Sequence, residues 1–224
     1  MLVGGDIGEQ DGAAGVVASA VEQLGCLDVL VCNAALAPTS DNRHLIGEVS
    51  YADWAAAFRS MIDVHLLGPA NLAWAVATHL INRQASGAIV NIGSRGAFRG
   101  EPEYPAYAAS TAGLHALGQS LAIALAPHAI SVTTVAPGFV ATERQLAKLN
   151  SADGNALRAQ SPFGRVGNPQ EIAAAVFWLA SPEAAWSSGA ILDANGACLP
   201  TQLTRRIAQA PPTARHQKRS VSSD

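Results

Sequence analysis

Apolar and polar positions along the 224-residue chain switch between a helical and an extended period, and the switches mark the elements. In residues 12–24 the apolar positions Val16, Val17, Ala20, Val21 and Leu24 recur at helical spacing, and Gly25 closes the helix. Residues 27–32 form a short apolar run that enters Asn33-Ala34-Ala35, the pattern of a buried parallel strand ending in a turn. A long helix rich in Ala, Leu and Trp is predicted over residues 51–82. Pro69 inside it cannot donate a helix hydrogen bond, so a kink or break is expected there. Residues 87–92 read as the next strand, 93–105 as a Gly/Pro-punctuated loop, 107–126 as a helix and 130–135 as a strand. Residues 143–165 are polar and dotted with Gly and Pro, as in a lid or a set of short helices. Residues 169–179 begin with Pro at a helix entrance, and 189–193 form a last strand. Helix and strand in this alternation predict an α/β fold, a parallel sheet covered on both faces. Such sheets gather ligands at the carboxyl ends of their strands, which singles out Asn33, Ser94 and Pro137-Gly138.

Composition narrows the setting. With 49% hydrophobic and 14% charged residues, the chain can build one domain with a substantial core. A net charge of −3 is too mild for a nucleic-acid or membrane-surface partner, and neither is expected. Cys26, Cys32 and Cys198 form no CxxC pattern, and the six histidines are scattered, so thiols of a reducing cytosol and no metal site are expected. The start of the chain lacks a basic region followed by an apolar one, and no apolar run reaches 18 residues unbroken. A cytoplasmic location follows. After Leu199 the character changes: Arg205, Arg206, Arg215, Lys218 and Arg219 stand among few core formers. Residues 199–224 read as a basic disordered tail behind a domain spanning 1–198.

The chemistry concentrates on two residues. Ser94 follows a strand, and Tyr107, 13 positions later, opens a helix. A Ser hydroxyl and a Tyr hydroxyl so placed can converge on one carbonyl oxygen, the Ser holding it and the Tyr exchanging its proton.

Here the chain resembles the short-chain dehydrogenase/reductase family, in particular its 3-oxoacyl-reductase-like members. The motifs are Gly5-Asp6-Ile7, Leu27-Asp-Val-Leu-Val-Cys-Asn33-Ala34-Ala35, Ile89-Val-Asn-Ile-Gly-Ser94, Tyr107-Ala-Ala-Ser110, Pro137-Gly138-Phe-Val140-Ala-Thr142 and Pro162-Phe-Gly-Arg165-Val-Gly-Asn-Pro-Gln-Glu-Ile172. Leu179-Ala-Ser-Pro182 and Gly189-Ala-Ile-Leu-Asp193-Ala-Asn-Gly196 complete the series. The resemblance implies a Rossmann-like doubly wound sheet, NAD or NADP as cofactor, and hydride transfer between an alcohol and a carbonyl of a small molecule. By position, Ser94 would orient the substrate oxygen and Tyr107 would be the acid/base. Asp6 and Ile7 match the adenine-contact pair, and Asn33-Ala34 the turn beside the cofactor. Pro137, Gly138, Val140 and Thr142 match the segment that holds the carboxamide. The family also implies a homodimer or homotetramer paired through the two long helices.

The chain departs from the family at four places. Thr111 stands where the family has a lysine four residues after the tyrosine, on the same helix face. That cation lowers the tyrosine pKa and hydrogen-bonds the nicotinamide ribose, and threonine can do neither. His65 replaces an asparagine of the proton relay, either as a substitute proton carrier or as a packed structural residue. Ala35 replaces a glycine beside the cofactor. Finally, the sequence opens at what matches the third strand, lacking the first strand–helix–strand unit of about 55 residues and its glycine-rich phosphate turn. The glycines of residues 4–15 do not replace that turn, because no strand precedes them and Asp6, Glu9 and Asp11 would repel phosphate. Residues 27–31 are then expected to form an exposed apolar sheet edge, which either association covers or a longer native chain completes. The departures keep two alternatives beside the reductase: a catalytically silent relative acting through association, and a lyase or isomerase on the same frame.

Overall fold

The computed structural model describes residues 2–198. The basic segment 199–224 lies outside the described residues. The described chain is one parallel sheet with helices on both faces. Helix α1 (Gln10–Leu24) leads to β1 (Val29–Cys32); α2 (Tyr51–Ile62) and α3 (Gly68–Arg83) lead to β2 (Gly87–Ile92). The short α4 (Gly96–Arg99) and the long α5 (Pro105–Leu125) lead to β3 (Ile130–Pro137). Three helices, α6 (Glu143–Leu149), α7 (Gly154–Arg158) and α8 (Pro169–Leu179), precede β4 (Ile191–Ala194). The four strands lie in the order β1-β2-β3-β4, all parallel, with Val31 opposite Val90 and Val90 opposite Thr133.

Period-two alternation sorts the strand residues onto two cores. Ile89, Ile130 and Val132 face one side, where Val76, Ala77 and Leu80 of α3, Ala122 and Leu125 of α5 and Val17 of α1 cover them. Val90 and Val135 face the other side, where Leu179 of α8 and Ala184 cover them. β1 is an edge, and Val29 and Val31 are 44% and 40% exposed, as the sequence predicts.

Three local expectations need correction. Pro69 neither breaks nor ends the helix, which is continuous from Tyr51 to Arg83. Residues Asp63–Leu67 instead take a π-helical turn in which the Gly68 N–H donates to the Asp63 carbonyl, five residues back. The wider turn takes up the hydrogen-bonding gap that proline imposes. The loop after β2 contains the short helix α4. The residues before Asp6 form no strand, since no neighbouring described strand offers them a ladder. They are tied down otherwise: the Asn71 amide on α3 donates to the carbonyls of Ile7 and Gly8.

The segment after β3 is fixed at its far end. Val140 bridges Gly167, and the Ala141 N–H donates to the Gly167 carbonyl at 2.9 Å. Next to it Asn168 and Glu171 form a reciprocal cap on α8, each accepting the other's backbone N–H at 2.9 Å. Arg165 closes on the Glu171 carboxylate with two nitrogens, which with the Asn168 N–H holds that carboxyl down to about 2.

Candidate active site

Two strand ends and one helix start meet at Ser94 and Tyr107. Ser94 leaves the carboxyl end of β2, and Tyr107 lies in the first turn of α5, whose φ is set by Pro105 at its entrance. Both residues separate two cavities and line both. One, of about 190 Å³, is lined also by Cys32, Asn33, Ala34, His65 and Thr111. The other, of about 410 Å³, is lined also by Arg95, Glu101, Val140, Thr142 and Lys148. Pro137 and Gly138 at the end of β3 border both.

Two histidines that no local sequence pattern singles out hold this pair in place. His44 is 1% exposed; its Nδ1–H donates to the Asn42 carbonyl and its Nε2 accepts the Ala106 N–H at 3.0 Å. One free N–H at the start of α5 is thereby satisfied, next to Tyr107. The His44 ring packs edge-on against Trp54, Phe58 and Tyr104. His115, two turns beyond Tyr107 on α5, accepts the Ser94 N–H at 3.4 Å. Its Nε2 lies 2.2 Å from where a Gly93 Cβ would stand, so only glycine fits before Ser94. The one signal in the sequence was spacing: Tyr107, Thr111 and His115 follow at intervals of four on one helix face.

Ser94 is 8% exposed, and its Oγ accepts the Gly96 N–H at 3.0 Å. That leaves the hydroxyl proton for an acceptor in the cavity. Burial pushes the Tyr107 phenol above its ordinary value; the Ser94 hydroxyl opposes this, the Glu101 charge adds to it, and the Arg95 charge opposes it again. The phenol is therefore held protonated at neutral pH.

Thr111 and His65, two of the departures from the family pattern, are turned inward. Thr111 Oγ1 donates back to the carbonyls of Tyr107 and Ala108, at 2.8 and 3.2 Å, and the side chain is 3% exposed. No cation takes the place of the expected lysine among the residues lining the smaller cavity. His65 is also 3% exposed; its Nε2 accepts the Leu36 N–H and its Nδ1–H faces Ser110 Oγ, both at 2.9 Å. Burial lowers its pKa to about 4. Its ring meets Tyr107 edge-on at 5.3 Å between centroids, but neither nitrogen is free to relay a proton.

The smaller cavity is lined by small side chains at Ala34 and Ala35 and by Gly93, Pro137 and Gly138. Asp6 and Ile7 stand apart from both cavities, and the Asp6 carboxylate accepts the Gly8 N–H at 2.9 Å. Among the described residues no strand precedes α1, so no strand-to-helix phosphate turn is formed there. Gly12 is a packing residue, since its Cβ would fall 2.0 Å from the Asp6 carbonyl oxygen.

A family profile described as enoyl-(acyl carrier protein) reductase matches residues 1–196. A 3-oxoacyl-[acyl-carrier-protein] reductase of Vibrio cholerae is 36% identical over 181 residues, 81% of this chain and 70% of that one. A cis-4-hydroxycyclohexanecarboxylate dehydrogenase of Sinomonas cyclohexanicum is 34% identical over 191 residues, 85% of this chain and 73% of that one. Among solved structures, ElxO with NADP bound superposes with a TM-score of 0.76 at 25% identity, covering 85% of this chain and 75% of its own.

Proposed function

The chain belongs to the short-chain dehydrogenase/reductase family, and on that premise we propose that it reduces a small-molecule carbonyl to an alcohol with NADH or NADPH. The observation that carries the reading is the wall between the cavities: Ser94 and Tyr107, with Pro137 and Gly138, border both. A reduced nicotinamide, when bound, supplies the hydride. Cys32, Asn33, Ala34 and the Pro137-Gly138 backbone are the residues that would flank it, with Val140 and Thr142 bordering the substrate side.

The chain's own part is to place one oxygen and give it one proton. The Ser94 hydroxyl donates to the carbonyl oxygen, held in position by Gly96 and His115. Tyr107 donates its proton as negative charge builds on that oxygen. The raised phenol pKa favours this direction, because the acid form is the one present. Alcohol oxidation needs the phenolate, and no cation on the Thr111 face stabilises it. The reading thus treats the chain as a reductase first and a dehydrogenase second. A cytoplasmic setting suits three free cysteines, and self-association would cover the open edge at β1.

One observation favours a second reading, the silent relative: the inward bonding of Thr111 and His65 removes the usual proton relay. Energy transfer from the protein's tryptophans to NADPH, followed by carbonyl-dependent NADPH oxidation, separates the two. Saturable transfer with turnover on a ketone panel supports the reductase. Saturable transfer with no turnover of any ketone supports the silent relative.

A further inference from the structure

Arg95 follows Ser94 directly and is 9% exposed, at the floor of the larger cavity. Its two terminal nitrogens donate to Cys198 Sγ and to Gln160 Oε1, each at 2.6 Å. Neither acceptor is a carboxylate, and the other three N–H donors have no partner among the described residues. A buried guanidinium normally faces a carboxylate, because neutral acceptors satisfy its hydrogen bonds but not its charge. A glutamine could bond Cys198 and Gln160 without burying a charge at all.

No described carboxylate stands within ion-pair distance of Arg95; Glu101 and Asp193 act on its charge only from farther off. Glu101 accepts both Nε and Nη2 of Arg99, at 3.2 and 3.1 Å. Glu103 pairs with Arg43 at 2.8 Å. The fifth charged residue of the cavity is Lys148, exposed on α6, with no side-chain partner among the described residues. Arg95 and Lys148 are thus two cations lining one cavity that form no ion pair among the described residues. The Arg95 charge is felt at the Tyr107 phenol, so the two groups act on the same space.

We infer that the larger cavity binds a substrate bearing a carboxylate, an oxo acid, with the carboxylate on Arg95 and Lys148 and the carbonyl at Ser94 and Tyr107. The inference deepens the proposed function and rests on it for the identity of the reacting carbonyl. The anion site itself stands on geometry: free N–H donors on a buried guanidinium and a second cation without an ion pair, lining one cavity. A volume of about 410 Å³ suits a small acid. Arg95 offers a planar fork to the carboxylate, while Lys148 adds a mobile point charge from the lid.

The test is equilibrium binding of 3-oxobutanoate against its methyl ester, by titration calorimetry on the unmodified full chain without cofactor. The acid is expected to bind at least about tenfold more tightly than the ester at low salt, with the preference shrinking as salt rises. Arg95→Gln is expected to remove most of the preference and Lys148→Gln a smaller part, about threefold. Equal binding of acid and ester, no binding of either, or a preference untouched by both substitutions overturns the inference. Should Arg95→Gln not fold, the acid-to-ester ratio of the unmodified chain and Lys148→Gln on the exposed lid decide. Acid preference without NADPH oxidation keeps the anion site and removes the reductase reading. NADPH oxidation with no acid preference does the reverse.

Discussion

The two cavities that share Ser94 and Tyr107 treat their polar side chains in opposite ways. On the smaller side, proposed to face the cofactor, His65 and Thr111 have their donors and acceptors engaged within the fold. On the larger side, proposed to face the substrate, Arg95 and Lys148 form no ion pair with a described carboxylate. Internal hydrogen bonds turn a side chain into packing, whereas an uncompensated charge in a cleft waits for a ligand. On the proposed reading, the chain keeps the acid that would protonate an oxygen while lacking the cation that would stabilise its phenolate.

The hardest way to break the contrast is to remove the shared acid. Tyr107→Phe is expected to cut carbonyl reduction about 10²–10⁴-fold with NADPH binding retained, read by steady-state NADPH oxidation and by tryptophan energy transfer. Thr111→Lys would convert the cofactor side back to the family pattern. It is expected to raise alcohol oxidation about tenfold or more at neutral pH, read in NADP-dependent assays, and to affect reduction less. Turnover unchanged with cofactor bound would mean that the missing cation does not limit the rate.

The pH profile sharpens the same point. With the phenol pKa raised, reduction is expected to stay flat through neutral pH and to fall only as pH rises through the phenol's pKa. Oxidation should climb over that same range. His65 gives the smallest effect, and it is one of stability. Its folded pKa of about 4 lies below the unfolded value near 6.5, so its contribution is complete above about 6.5 and is lost as pH falls toward 4. The loss amounts to about 3 kcal/mol. His65→Gln should flatten that part of a denaturation-versus-pH curve.

Much of this was legible in the residue pattern, for definite reasons. β2 and β3 are short runs rich in Ile and Val and bounded by Gly and Pro, so their strand character was plain, as was the order of the elements. The Ser94–Tyr107 pair was legible because its spacing matches a strand end followed by a helix start. The π turn at Asp63–Leu67 was not, because how a helix accommodates Pro69 depends on what it packs against. The roles of His44 and His115 were hidden because each acts across the fold, on Ala106 and on Ser94, with no local pattern to show it. No local pattern marks Arg95; its burial without an ion pair is a property of the fold.

The most direct test of the reductase account is label transfer. The chain would be incubated with NADPH carrying deuterium at the transferable position and with a panel of ketones, including 3-oxo acids. The product alcohols would then be weighed by mass spectrometry. The account predicts an alcohol carrying the deuterium from the unmodified chain and none from Tyr107→Phe. Saturable NADPH binding with no labelled alcohol from any ketone would contradict it.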